Sequence, residues 1–145
     1  MKAKLLALAL IVALGQSGCV NQPINQGSYT SGVTAANTEI LADSIARYVA
    51  YKLPAANSTV TVIPARQNDR LANALTTNLK NRGFGIADGT APNPSAVPLA
   101  YLVTPLENGL LIVIRLNGQE ATNMLIRDAQ TKQWSLLNSY TVKGG

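Results

Sequence analysis

The chain has 145 residues, 47% of them hydrophobic and 13% charged. That length fits one domain with appendages, and the apolar content excludes a chain disordered throughout. With no histidine and one cysteine, the sequence excludes a Ser-His-Asp triad, a Cys-His dyad, a histidine metal site, a cysteine-rich zinc site and an internal disulfide. The formal net charge is +5. Lys2 and Lys4 sit at the extreme N-terminus, and the other basic residues are scattered singly. Direct nucleic-acid binding, which wants a concentrated basic patch, is not expected.

Met1 to Cys19 reads as an export signal. Lys2 and Lys4 supply the positive start, and Leu5 to Leu14 is an unbroken apolar run of ten. Ten helical residues span about 15 Å, roughly half a bilayer's hydrocarbon core, which is too short for a transmembrane helix. Gly15, Ser17 and Gly18 then lead into Cys19, the sole cysteine. Small residues directly before a cysteine at the end of such a run resemble a lipobox, the signal for bacterial lipoprotein processing. Gln16 stands where leucine is usual. The resemblance implies that residues 1–18 are a signal peptide and that Cys19 is the lipid-attachment site. Val20 replaces the aspartate that typically retains lipoproteins at the inner membrane. By the sorting rule of the lipoproteins it resembles, this implies anchoring at the periplasmic face of the outer membrane.

Residues 19–34 are expected to be a lipidated N-terminus and flexible tether. Val20 to Thr34 is polar, carries Gly, Ser and Pro, and lacks sustained periodicity. Fifteen residues reach at most ~50 Å. Residues 35–145 then read as a single α+β domain.

Asn37 to Leu53 is the best helix, with Leu41, Ile45, Tyr48, Val49 and Leu53 on one stripe. Asn37 or Thr38 can cap it and Pro54 stops it. Ser58 to Ile63 is β-branched and alternating, a strand. Asn68 to Arg82 predicts a second helix with Leu71, Ala74, Leu75 and Leu79 on one face, and Gly83 is placed for a left-handed cap. Phe84 to Ala87 follows as a short strand, so the order suggests a parallel strand-helix-strand unit preceded by a helix. Asp88 to Val97 is a loop. Leu99 to Leu106, Leu110 to Leu116, Gln119 to Arg127 and Gln133 to Val142 then read as a four-stranded antiparallel meander. Asn108-Gly109 and Asn117-Gly118 are its tight turns, because both residue types accept positive φ. Pro105 places the first of these strands at an edge or a bend.

Little catalytic chemistry is available. No histidine can activate a serine, no S-x-x-K occurs, and Gly83-Phe84-Gly85 lacks the context of a phosphate loop. The carboxylates fall mostly at expected caps, turns and exposed helix positions, with Asp43 and Arg47 spaced for an ion pair. No enzyme activity, cofactor or metal is expected. Tyr48 and Trp134 are assigned to the core. Tyr51 lies off the apolar stripe and, with Tyr140, is a candidate interface anchor.

Several segments together resemble the conjugal-transfer TrbH lipoproteins: Leu41 to Pro54, the helix ending in Asn81-Arg82-Gly83-Phe84, Pro98 to Val103, and Trp134 to Lys143. The resemblance covers nearly the whole chain and carries over one position, the lipidated Cys19. It implies a structural component of a conjugative type IV secretion system in the outer envelope, packed on the ring-forming core proteins. The alternative is a free-standing envelope lipoprotein that binds a ligand or regulates a periplasmic enzyme. Gene neighbourhood separates the two, since a conjugation component is encoded beside ring proteins, pilin and ATPases.

Overall fold

Apolar residues at helical spacing build the two helices that cover one side of a curled sheet in the computed structural model, which describes residues 27–89 and 93–143. In chain order the elements are β1 (Tyr29–Thr30), α1 (Ala35–Lys52), a 3-10 turn at Ala55–Asn57, β2 (Thr59–Val62), α2 (Arg70–Asn81) and β3 (Gly85–Ile86). β4 (Ala96–Leu106), β5 (Gly109–Leu116), β6 (Gln119–Arg127), β7 (Trp134–Leu136) and β8 (Thr141–Lys143) follow. The strand order is β3-β2-β4-β5-β6-β7, with β1 also on β4 and β8 also on β6.

The helices end as their sequences dictate. At the start of α1 the backbone N–H of Thr34 donates to Asn37 Oδ1 at 2.8 Å, and Asn37 Nδ2 donates to Gly32 O at 3.0 Å. Thr34 is thus the cap, one turn before the expected Asn37 or Thr38, and Asn37 reaches back to it. At the end of α2, Gly83 takes φ +89°, with Gly83 N on Lys80 O and Phe84 N on Leu79 O. These two bonds close the helix through a left-handed glycine. Leu41, Ile45 and Val49 of α1 and Leu71, Leu75 and Leu79 of α2 are fully buried. They meet Val60, Leu99, Tyr101, Val103, Ile112 and Ile114 of the sheet.

β2 and β3 pair in parallel with α2 between them, and β2 also pairs in parallel with β4 through residues 96–99. β4, β5 and β6 are antiparallel neighbours. The expected fourth meander strand, Gln133 to Val142, is instead two short strands, β7 and β8, on the same edge of β6. Leu137 N still donates to Met124 O at 2.8 Å; beyond it the chain leaves the edge, and Tyr140 turns onto α1.

The tether expectation is also corrected. From Ser28 onward the segment is part of the domain: β1 pairs in parallel with β4, Ser28 Oγ donates to Ile63 O, and Tyr101 N donates to Ser28 Oγ at 3.0 Å. The rest of the tether, the signal peptide and Cys19 lie outside the described residues. Two- and three-residue pairings have no periodicity to read, so composition alone made this stretch look like linker.

The first meander turn sits one residue earlier than Asn108-Gly109 suggests. Leu106 pairs with Gly109, so Glu107 and Asn108 form the loop and Glu107 takes the positive φ, 53°. Asn117-Gly118 is a two-residue turn with both φ positive, as expected. Pro105 occupies the alternate position whose N–H would point away from β5, beyond the end of β1, so no ladder bond is lost there.

Candidate functional site

α1 presents Ser44, Arg47, Tyr48 and Tyr51 on adjoining turns, toward the β7–β8 connection. A groove of about 550 Å³ lies between them, with Asn123, Leu136 and Val142 among its other lining residues. Tyr140 crosses one end. Its ring sits 4.9 Å from that of Tyr48 at 45°, and its hydroxyl shares a 2.6 Å hydrogen bond with Ser44 Oγ. Burial pushes the Tyr140 phenol up to about 12, against the smaller opposing pull of the Ser44 hydrogen bond and the Arg47 charge. The hydroxyl therefore stays protonated at neutral pH and serves as a hydrogen-bonding group.

The floor explains why the connection holds its shape. Asn123 occupies an inward position of β6 and is buried. Its Nδ2 donates to Asn138 O at 2.8 Å, while its Oδ1 accepts from Met124 N at 2.7 Å. A polar residue between Ala121 and Leu125 at the inward phase of a strand was the available signal for this role, and sequence reasoning missed it.

Arg47 is the charged residue among those lining the groove, and its own partner lies on α1. Asp43 receives both Arg47 at 2.9 Å and Arg82 at 2.7 Å, so one carboxylate is shared by two guanidiniums. The Asp43–Arg47 pair was legible as an i, i+4 spacing; the Arg82 contact joins α1 to α2 and was not. Lys52 Nζ lies 5.7 Å from the Tyr48 ring centre and 5.5 Å from that of Tyr51. Those rings attract the ammonium without neutralising it.

The structure places the two candidate anchors differently. Tyr51 is 82% exposed, the most exposed of the large hydrophobics among the described residues. Tyr140 is half-buried and already engaged with Ser44 and Tyr48, so it shapes the groove and only its outer edge is available. Tyr48 is buried, and Trp134 packs against the core with Arg127 over its ring at 5.8 Å. The arrangement offers aromatic surface, hydrogen-bonding groups and a guanidinium, which suits binding a protein segment. Among the described residues no group of three or more His, Cys, Asp or Glu is placed to hold a metal ion. No described helix is long and apolar enough to cross a membrane.

Neither the curated proteins nor the solved structures contain a match to this chain. The family model described as conjugal transfer protein TrbH matches residues 21–136, which takes in both helices, β1 to β6 and the start of the groove's outer wall at β7. The chain therefore belongs to the TrbH family of conjugal transfer proteins.

Proposed function

We propose that this protein is a lipid-anchored structural adaptor of a conjugative type IV secretion apparatus, with no turnover of its own. In this reading Cys19 is acylated and holds the chain at the periplasmic face of the outer membrane. The folded domain docks on a ring-forming core protein through the groove between α1 and the β7–β8 connection. The observation that carries the reading is the family membership over residues 21–136. The groove supports it: Tyr51 stands exposed beside Arg47 and Lys52, a surface of the composition that protein interfaces favour.

Two anchors on one chain act together. Lipid attachment confines the domain near its protein partner and raises the partner's effective concentration. The test is complementation of a deletion strain. Loss of the gene should abolish or sharply reduce transfer, wild type should restore it, and soluble Cys19→Ser protein should restore it only in part and better when overexpressed. Normal transfer by the deletion strain would favour the free-standing lipoprotein.

A further inference from the structure

Both helices lie on one face of the sheet, and on β4 to β6 the other face is largely apolar, with Thr104 and Thr122 as its uncharged polar residues. By alternation along the strands it carries Leu106, which is exposed, Leu102, Leu111, Met124 and Ile126, which are half-buried, and Val113, which is buried among them; none belongs to the core that the helices cover. An antiparallel sheet with one wet face reads as alternating apolar and polar residues. Leu110 to Ile114 is instead apolar at every position. The charged residues of β5 and β6 on this face, Arg115 and Glu120, pair with each other at 3.1 Å at the end of the sheet remote from Leu106. The rows between are uncharged.

The first described strand puts an aromatic side chain on this face. Tyr29 is in register with Leu102, on the same side of the sheet, and is 54% exposed. Because the chain is already part of the fold at Ser28, the spacer from Cys19 to Tyr29 is ten residues, at most ~35 Å even when fully extended. A lipid attached at Cys19 would keep the open face within that distance of the bilayer.

We propose that the open face of the sheet lies against the lipid bilayer, with Tyr29 at its rim. The proposal rests on the anchoring of Cys19 set out above. A bilayer requires no shape-matched partner. The sheet's backbone groups on this face are already paired between strands, so contact with lipid leaves few of them unsatisfied. Tyr29 suits the water–lipid boundary, where aromatic residues with one polar end collect. The short spacer makes even a weak surface contact effective, since the anchored domain samples the membrane continuously. In this arrangement the helical face and its groove point into the periplasm.

The test uses the acylated full-length mature protein in vesicles of phosphatidylethanolamine and phosphatidylglycerol. With the Cys19 thiol acylated, Leu111→Cys, Met124→Cys and Tyr51→Cys each offer one free thiol for an environment-sensitive nitrobenzoxadiazole label. Labels at 111 and 124 should shift to the blue and be quenched about twofold or more by doxyl lipid, while the label at 51 stays wet. Acylated protein with labels at 111 and 124 as wet as at 51 overturns the proposal and leaves the anchor standing. Shielding of 111 and 124 in soluble Cys19→Ser protein of dimeric mass also overturns it, since a second copy then covers the face. Purified protein without an acyl chain overturns the anchor and the proposal together.

Discussion

The phenol of Tyr101, on the central strand β4, donates a hydrogen bond to the buried carboxylate of Asp69 at the start of α2. Asp69 also accepts from Leu71 N at 3.0 Å and Ala65 N at 2.9 Å, so one side chain caps the helix, ties down the preceding loop and fixes both to the sheet. Asp69→Ala should cost about 2–4 kcal/mol, combining the lost cap with an unpaired buried hydroxyl. Tyr101→Phe should cost less, about 1–2 kcal/mol, since the two backbone donors to Asp69 remain. Urea unfolding of the two variants checks the order; equal stability of Asp69→Ala and wild type would contradict it.

Stability should fall at alkaline pH. Burial, the largest cause for both Tyr101 and Tyr140, holds their phenols above the ordinary tyrosine value, and for Tyr101 the Asp69 hydrogen bond adds to it. In the unfolded chain each titrates near pH 10. Their contribution is therefore complete below about pH 10 and is lost as pH rises through the folded values, about 12 for Tyr140. Thermal melts across that window should show a falling midpoint, and Tyr140→Phe should make the decline shallower.

Two glycines should respond differently to alanine. At Gly109 an added Cβ would lie 2.3 Å from Leu125 O, a backbone atom of the paired strand. At Gly118 it would meet open space, and the φ of +74° is the only obstacle. Gly109→Ala should cost about 2–3 kcal/mol through steric overlap, and Gly118→Ala about 1 kcal/mol through backbone strain. Calorimetry that ranks Gly118→Ala as the more damaging change would refute the close-approach account.

These positions mark how far the sequence could be read. The Asn108-Gly109 pair signals a hairpin, but the glycine is required by the neighbouring strand and the loop sits one residue earlier. Both helices were legible because Leu41, Ile45 and Val49, and Leu71, Leu75 and Leu79, repeat at the helical period. The role of Asp69 was not legible, because its partner Tyr101 is 32 residues away and only the fold brings them together. Tyr51 was found as a residue off the stripe. The groove was not, because its floor and outer wall come from Asn123 and the broken β7–β8 edge.

Tyr51→Ala separates docking from folding. The side chain is 82% exposed, so stability should change by no more than about 0.5 kcal/mol. Transfer frequency should nevertheless fall if the groove is the docking site. Tyr48→Ala, three residues earlier and buried, should lower stability by about 3–5 kcal/mol. A Tyr51→Ala strain that transfers at the wild-type frequency would move the docking site elsewhere on the domain.

Acylation of Cys19 has its own readout. Wild-type protein should label with a fatty-acid analogue and begin at residue 19, whereas Cys19→Ser should take no label and accumulate as soluble or unprocessed protein. A mature chain that starts at another residue would remove the anchor.

Isolation of the tagged protein from donor-cell membranes in mild detergent tests the adaptor account most directly. The account predicts that ring-forming core proteins of the transfer apparatus co-purify with the wild type and that Tyr51→Ala retains them poorly. Recovery of the protein alone, from a strain in which its deletion leaves conjugation normal, would contradict it.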